Sequence, residues 1–348
     1  MTHQQRTHRD VKVGVSYFGV RNPRHVAEDL KAMSDAGIDF VVHTFSENDA
    51  EFYLETMKEI VELTHRFGLE AYIDPWGVAG VFGGEAYSKF VALNHDALQR
   101  YNDGQSAAAA CPNNPKTLDF VKSWIRKAAE IGGDVIFFDE PHFAHARGGW
   151  SCVCDHCKRK FESIFGYEMP SVLNEDVERF RLESIRDFLK QLAGYAKEFG
   201  MRTAVCMLPR TSELHFWREI FALPELDIVG TDPYWTGIGL HGKEVYDHVL
   251  NFTKLVVELA DGLGKEAQIW IQMFKIGDGD EDDIKEAVRA AVDGGARNIA
   301  AWSYMATGYM SYIRCERPDV AWSRFIESVY EIKRTENKIV EKEKGLLS

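Results

Sequence analysis

The 348-residue sequence lacks the features that mark several common protein classes. It has no block of Lys and Arg residues, and its formal net charge of −13 argues against a nucleic-acid or anionic-membrane partner. No apolar run approaches the roughly 18 residues that a membrane span needs. The polar N-terminal segment MTHQQRTHRD has no hydrophobic region of a secretory signal, which predicts a cytoplasmic protein.

Cysteine is scarce, and one common motif is missing. Six cysteines in a chain without a secretory signal indicate thiols or metal ligands more than a disulfide framework. A GxGxxG motif does not follow the first apolar segment, which counts against a dinucleotide-binding fold. The hydrophobic fraction of 45% is that of an ordinary globular protein. The sequence is also compatible with an oligomer.

Eight short apolar segments alternate with amphipathic helical segments along the chain. The predicted strands are 11–19, 39–46, 69–77, 134–141, 202–209, 226–235, 268–276 and 298–306. Nearly continuous apolar strands that alternate with helices indicate parallel strands buried on both faces. The pattern predicts an α/β protein, a single (β/α)₈ TIM barrel over residues 1–348, with long loops after strands three and four and a charged tail at 338–348.

The predicted strand ends carry polar and aromatic side chains. Barrel enzymes place their chemistry at the carboxyl ends of the strands, where aromatic rings can stack on sugars and polar groups can bind hydroxyls. For any single residue, core packing is an equally good explanation. The predicted substrate-binding residues are His43, Asp74, Trp76, His142, Tyr234, Trp235, Gln272, Trp302 and Tyr304.

Two consecutive carboxylates, Asp139 and Glu140, end the fourth predicted strand. Cleavage of a glycosidic bond needs a protonated carboxyl group at the leaving oxygen. Apolar neighbours on the strand would raise the pKa of Glu140 and suit it to this role. The alternative is a structural salt bridge from Glu140 to Arg147 or Arg210.

Three cysteines follow in a CxCxxC pattern, Cys152, Cys154 and Cys157. Cys111 lies at the end of the loop after strand three, which neighbours the strand-four loop in a barrel. Four thiolates form a closed tetrahedral zinc site, which is structural because no coordination position is open. A redox thiol set, or a site in which His142 or His156 replaces one cysteine, is the alternative.

These residues resemble the clan A glycoside hydrolases, and most closely the family 42 β-galactosidases. That family has a (β/α)₈ barrel, a catalytic Glu at the end of strand four, and a zinc site made of one Cys before that strand and a CxCxxC after it. The resemblance implies that Glu140 is the general acid/base, that Trp302 is a sugar platform, and that Cys111 joins the other three cysteines around zinc.

Two departures from that family concern the chemistry. Asp139 stands where the family has Asn, and Gln272 stands where the family's nucleophilic Glu ends strand seven. Gln cannot act as a nucleophile, and the chain is also shorter than the family's. β-Galactosidase activity is therefore not carried over.

Three routes replace the missing nucleophile. In the first, Asp139 attacks and Asp232 is the acid, an arrangement that resembles the clan D α-glycosidases. In the second, which resembles the β-N-acetylhexosaminidases, Asp139 orients a substrate 2-acetamido group and Glu140 protonates the leaving oxygen. In the third, Glu140 is the acid of an inverting enzyme with Asp232 or Asp74 as base.

The sequence therefore predicts a glycoside hydrolase acting on a small, neutral carbohydrate. A non-catalytic sugar-binding barrel that has lost its nucleophile is one alternative. A metal-dependent barrel hydrolase or lyase is another, with a site built from His43, Asp74 and His142.

Overall fold

The computed structural model describes residues 11–146, 149–210 and 214–346. Twelve strands are found in this part of the chain. They are β1 (Lys12–Tyr17), β2 (Phe40–Thr44), β3 (Glu70–Asp74), β4 (Leu98–Arg100), β5 (Ser106–Ala110), β6 (Val135–Asp139), β7 (His145–Ala146), β8 (Gly149–Trp150), β9 (Arg202–Met207), β10 (Ile228–Thr231), β11 (Glu266–Gln272) and β12 (Asn298–Trp302).

Eleven α-helices are found in the same part of the chain. They are α1 (Pro23–Asp35), α2 (Glu47–Phe52), α3 (Leu54–Arg66), α4 (Lys89–Leu93), α5 (Pro115–Glu130), α6 (Asp155–Phe165), α7 (Glu175–Glu198), α8 (Leu214–Phe221), α9 (Lys243–Leu263), α10 (Asp282–Asp293) and α11 (Pro318–Leu346). None of these helices combines the length and the apolar character that crossing a bilayer requires.

Eight of the strands form a closed parallel barrel in the order β1-β12-β11-β10-β9-β6-β3-β2. The predicted (β/α)₈ barrel is confirmed. Its strands are shorter than the apolar segments suggested, because loop residues at their ends are also buried. The eighth strand, predicted over 298–306, ends at Trp302, since a 3₁₀ turn at Tyr304–Thr307 follows it.

The two long loops are present and have secondary structure of their own. Residues 75–114, between β3 and α5, contain α4 and the antiparallel hairpin of β4 and β5. The segment between β6 and α7 contains the β7–β8 hairpin and α6.

Local sequence explains where the helices begin. Asn22 and Asn114 each cap a helix whose first residue is Pro, and each side chain accepts a hydrogen bond from a backbone N–H of the first turn. Both choices are typical of helix starts, since the cap satisfies an otherwise unpaired donor and Pro has no N–H to satisfy. The strand of Val135–Phe138 that precedes the carboxylates is fully buried.

The chain divides into two compact units. Unit 1 consists of Met1–His43, Glu59–Tyr72 and Ile228–Ser348, and unit 2 consists of Thr44–Lys58 and Ile73–Asp227. The predicted acid residues Asp139 and Glu140 and all four predicted zinc ligands belong to unit 2, whereas Asp232 and Gln272 belong to unit 1.

Candidate functional site

A cluster of carboxylates lies at the strand ends of unit 2. Asp74 is the last residue of β3, Asp139 is the last residue of β6, and Glu140 follows directly. β6 pairs in parallel with β9, so that Asp139 lies opposite Cys206, and the Glu140 N–H donates to the Cys206 carbonyl at 3.0 Å. The strand pairing therefore fixes the backbone of both candidate acid residues.

The loop after β3 contacts these carboxylates at a glycine, Gly83. Gly83 donates its N–H to the carbonyl of Asp139 at 3.0 Å. A Cβ atom at Gly83 would lie 2.2 Å from Asp139 Oδ2 and 3.5 Å from Glu140 Oε2, so a side chain here would displace the Asp139 carboxyl group. The same two distances place the two carboxyl oxygens roughly 6 Å apart or less.

An aromatic residue and a fourth carboxylate complete this loop. Trp76 donates from Nε1 to Glu85 Oε2 at 2.9 Å. Its ring lies against Gly84, where a Cβ atom would be only 1.4 Å from Trp76 Cδ1. Glu85 was not among the residues predicted from the sequence. The Gly83–Gly84 pair before it was the available signal, because adjacent glycines often mark a close backbone approach.

Burial and the repulsion between carboxylates raise the pKa of two members of this cluster. Asp74 is completely buried, and neither of its oxygens has a hydrogen-bond partner among the described residues. Burial raises the pKa of Asp74 well above the usual range, and the charges of Glu85 and Glu140 raise it further. Burial likewise raises the pKa of Asp139, with contributions from Asp74, Glu140 and Glu85. The protonated forms of Asp74 and Asp139 are thereby favoured.

The backbone at Glu140 has an uncommon conformation. Its φ angle is +40°, a region that non-glycine residues rarely adopt and that recurs at functional sites. The turn is held by the His142 N–H, which donates to the Val81 carbonyl at 3.1 Å. His142 Nδ1 lies 2.6 Å from the Glu140 carbonyl oxygen. Because a carbonyl only accepts, Nδ1 carries a proton, and the orientation of His142 is tied to the candidate acid.

The alternative of a structural salt bridge at Glu140 had two possible partners. Arg210 donates from Nη1 to His145 Nε2 at 2.7 Å. Arg147 lies outside the described residues.

Gln272, in unit 1, is held by four hydrogen bonds within the fold. The buried Oε1 accepts from the N–H of Trp235 at 2.8 Å and from that of Thr236 at 3.2 Å. Nε2 donates to Thr236 Oγ1 and to the Phe274 carbonyl. The Gln272 amide thus links the loop after β10 to the end of β11. This link needs both the acceptor Oε1 and the donor Nε2.

Several other predicted residues of unit 1 are deeply placed. His43 is 2% exposed, and Nε2 lies 2.9 Å from Thr64 Oγ1. Burial lowers the pKa of His43 to about 3. Asp232 follows β10 and is 4% exposed, while Trp235 is 1% exposed. His43 and Trp235 therefore have clear packing roles.

The remaining aromatic residues of unit 1 make ring contacts at the strand ends. Tyr304 donates its hydroxyl to Asp29 Oδ1 at 3.2 Å. Trp302 stacks on Phe18 with ring centroids 5.4 Å apart, and it is half-buried. Tyr234, also half-buried, packs edge-on against Phe274. Trp302 and Tyr234 thus keep some accessible surface.

The four predicted zinc ligands form a buried cluster. Their sulfur atoms all lie within 4.8 Å of one another, and Cys111 is 3.4 Å from Cys157 and 3.5 Å from Cys154. These separations are far beyond an S–S bond of about 2.05 Å and match the edges of a tetrahedron with Zn–S bonds of about 2.3 Å. The donor set therefore fits zinc.

N–H groups around the cluster donate hydrogen bonds to the sulfur atoms, which favours thiolate ligands. The N–H of Arg100 donates to Cys152 Sγ at 3.4 Å, and Asn113 Nδ2 donates to Cys157 Sγ at 3.3 Å. Cys206 and Cys315 are buried outside this cluster.

The loops that carry the cysteines are joined to each other. The buried Gln99 accepts at Oε1 from the Ala144 N–H at 2.9 Å and from Ser151 Oγ at 2.6 Å, and it donates from Nε2 to the Ala110 carbonyl. The Val153 N–H donates to the Arg100 carbonyl at 2.9 Å. The long loops after β3 and β6 therefore form one connected wall beside the carboxylates.

Comparison with known proteins identifies the fold. No family model and no curated protein matches the sequence. An endo-1,4-β-mannanase from Rhizomucor miehei is similar over 93% of this chain and 95% of its own, with a TM-score of 0.63 and 12% identity. The catalytic domain of a β-amylase from Paenibacillus polymyxa is similar over 92% and 99%, with a TM-score of 0.61 and 11% identity.

A third solved structure is a hyperthermostable endo-1,4-β-D-mannanase from Thermotoga petrophila RKU-1. It is similar over 92% of this chain and 99% of its own, with a TM-score of 0.55 and 10% identity. At such identities the likeness shows the barrel fold alone, and function must be argued from the site.

Proposed function

We propose that this protein is a glycoside hydrolase that acts on a small oligosaccharide or glycoside. The observation that carries this proposal is the pair Asp139 and Glu140, whose carboxyl oxygens lie roughly 6 Å apart or less in a cluster that retains protons. Glycoside hydrolysis needs a protonated and an ionised carboxyl group close together. The mannanases and the β-amylase that share the barrel are support at the level of the fold.

Of the three routes to a second catalytic group, we favour substrate assistance. A spacing of roughly 6 Å or less between Asp139 and Glu140 is below the separation of about 6.5–9.5 Å of an inverting pair, so Asp139 is not the base of an inverting reaction, and Asp232 or Asp74 stays the base in the third route. Gln272 provides no nucleophile, and its amide is already bound within the fold. Two carboxyl groups side by side at one strand end suit a substrate that supplies its own attacking group.

The proposed reaction has two steps. The oxygen of the substrate's 2-acetamido group attacks the anomeric carbon, the bond to the leaving oxygen breaks, and Glu140 gives its proton to that oxygen. Asp139 accepts a hydrogen bond from the acetamido N–H through its unprotonated oxygen and orients the acetamido group. Water then attacks the anomeric carbon, returns a proton to Glu140 and releases the acetamido oxygen.

The test uses chromogenic aryl glycosides with and without a 2-acetamido group. Glu140→Gln should lower kcat at least about 100-fold, because general acid catalysis is worth that much. Asp139→Asn should lower kcat on the 2-acetamido substrates much more than on others. Asp119→Asn, at an exposed position of α5, is the matched control and should leave kcat unchanged.

Two results would overturn this proposal. Full activity of Glu140→Gln would remove the residue from the reaction. No hydrolysis of any glycoside by the wild type, together with equal sugar affinity of wild type and Glu140→Gln, would favour a non-catalytic sugar-binding barrel. The engaged amide of Gln272 is the observation that favours this second candidate.

Asp232 is the alternative catalytic group. If Asp139 attacks directly with Asp232 as acid, Asp232→Asn should abolish turnover of every substrate, whether or not it carries an acetamido group.

We also propose that Cys111, Cys152, Cys154 and Cys157 bind a structural zinc ion. Four buried sulfur atoms at tetrahedral spacing with N–H donors around them support this assignment. Four protein ligands leave no open position, so the ion would hold the loops beside the carboxylates together and take no part in bond cleavage.

A further inference from the structure

A cavity lies next to the segment that follows the candidate acid Glu140. It has a volume of about 260 Å³ and lies within unit 2. Pro141 and His142, the two residues after Glu140, form part of its wall. Since His142 Nδ1 donates to the Glu140 carbonyl, this wall is linked directly to the backbone of the candidate acid.

Two arginines line this cavity in a protein whose net charge is strongly negative. Arg181 comes from α7 and Arg210 from the segment after β9. The acidic residue among the described lining residues, Glu178, is exposed. The apolar side chains of Leu182, Ile185 and Ile220 also line the cavity. Apolar walls lower the local dielectric constant and strengthen the attraction of the guanidinium groups for an anion.

Both arginines are held in place by neighbours. The guanidinium of Arg181 lies over the ring of Phe143 at 5.4 Å, and Nε donates to the Ser151 carbonyl at 2.6 Å. Arg210 donates to His145 Nε2 at 2.7 Å. A positioned guanidinium binds a planar or tetrahedral anion with less loss of side-chain entropy than a mobile one.

Two histidines, His142 and His145, lie beside the arginines of this cavity. His142 and His145 lie with nearly parallel rings, centroids 6.1 Å apart. Burial, together with the charges of Arg210, His142 and Arg181, lowers the pKa of His145 to about 4. His145 is therefore neutral at pH 7, and with Nε2 accepting from Arg210 its Nδ1 carries the proton and is a further donor.

We propose that this cavity binds one anionic group of the substrate, a carboxylate or a phosphate, through Arg210, Arg181 and the histidines. The inference deepens the proposed glycosidase function, on which it rests for the sugar nature of the ligand. It revises the expectation of a neutral ligand, since a single anionic group on a small sugar matches two arginines in a cavity of this size.

The test is a ligand-observed NMR titration of the full chain with D-glucuronic acid, D-glucose 6-phosphate and D-glucose. At least one acidic sugar should bind roughly tenfold or more tightly than glucose, because charge-assisted hydrogen bonds are worth that factor. The stronger of the two acids identifies the anion as carboxylate or phosphate. Arg210→Met should remove the preference. Arg126→Met, an exposed arginine on α5, should keep it.

Three outcomes would overturn the inference. They are equal affinity for glucose and both acids, absence of binding by either acid, and an unchanged preference in Arg210→Met whose circular dichroism matches the wild type. Glu140→Gln separates this inference from the proposed function. If acid preference persists in wild type and in Glu140→Gln while no glycoside is hydrolysed, the function fails and the anion site stands.

Discussion

Burial, and after it the charges of neighbouring carboxylates, raises the pKa of Asp74 and of Asp139. The sequence predicted carboxylates at the ends of these two strands, since an apolar run that stops at Asp is readable from pattern alone. It did not predict the difference that burial makes to Asp74 and Asp139, whose pKa is raised in both cases. This difference was not predictable, because it depends on how the loop through Gly83 covers the strand ends.

The raised pKa of Asp74 predicts a pH-dependent stability. An unfolded Asp titrates near pH 3.9, and the folded group titrates higher. The folded state therefore binds more protons above pH 4, so the stabilising contribution is present at acid pH and is lost as pH rises through the folded pKa. Asp74→Asn should flatten the fall in unfolding free energy between pH 4 and pH 8, by at most about 1.4 kcal/mol per pH unit.

Thermal or urea unfolding across this pH range measures the slope. Asp119→Asn, at an exposed position on α5, is the control and should keep the wild-type slope. Parallel curves for wild type and Asp74→Asn would show that Asp74 is ionised in the folded protein.

The hydrogen bonds of Gln272 predict how the Gln272→Glu variant, which introduces a Glu at the end of β11, will behave. In Gln272→Glu the two donors to Thr236 Oγ1 and the Phe274 carbonyl are lost, and a carboxylate then faces a carbonyl oxygen. The variant should lose about 1–3 kcal/mol of unfolding free energy. It should also gain no hydrolytic activity, because the side chain is committed to the loop after β10.

Urea unfolding and an aryl-glycoside assay test both parts of this prediction. Gln191→Glu, at an exposed position of α7, is the control and should unfold like the wild type. A stable Gln272→Glu protein with new glycosidase activity would contradict the structural role of the amide.

At the level of elements, the two long loops carry most of what distinguishes this barrel. The cysteine spacing, together with the adjacency of the strand-three and strand-four loops in a barrel, predicted that these loops meet, and Cys111 does lie beside Cys154 and Cys157. The β4–β5 hairpin and the role of Gln99 were not predicted. The sequence of β5, SAAAA, has a weak preference for strand. The structural role of Gln99 is recognisable only from its hydrogen-bond partners, one of which lies on the other loop.

The cysteine cluster predicts a metal-dependent ordering of these loops. Cys152→Ser should lower the zinc content from about one ion per chain to a small fraction, since it removes one of four ligands. Hydrogen exchange should then rise in residues 98–111 and 150–157, and the melting temperature should fall. Elemental analysis and exchange mass spectrometry measure these effects.

The barrel strands should respond much less, because they pair with one another and not with the cysteine loops. Cys315→Ser changes a buried cysteine outside the cluster and should retain the zinc. Equal metal content in Cys152→Ser and the wild type would refute the assignment.

At the level of the whole molecule, the fold was predictable because the same signal recurs eight times. Each apolar run is short enough for a strand and is followed by a helix, and eight such units in a row favour a closed barrel over an open doubly wound sheet. The chemistry was less predictable. Many barrel proteins share these strands, and activity depends on the few side chains at their ends, whose contacts come from loops such as 75–86.

The distribution of carboxylates over the strand ends predicts the stereochemistry of hydrolysis. β6 supplies two adjacent carboxyl groups, β3 and β10 supply one each through Asp74 and Asp232, and β11 ends in an engaged amide. Attack by the substrate's own acetamido group followed by attack of water gives net retention of the anomeric configuration. Proton NMR of the first product formed from an aryl 2-acetamido glycoside, recorded before mutarotation, should show the anomer of the substrate. The opposite anomer would exclude substrate assistance and favour the inverting route with Asp232 or Asp74 as base.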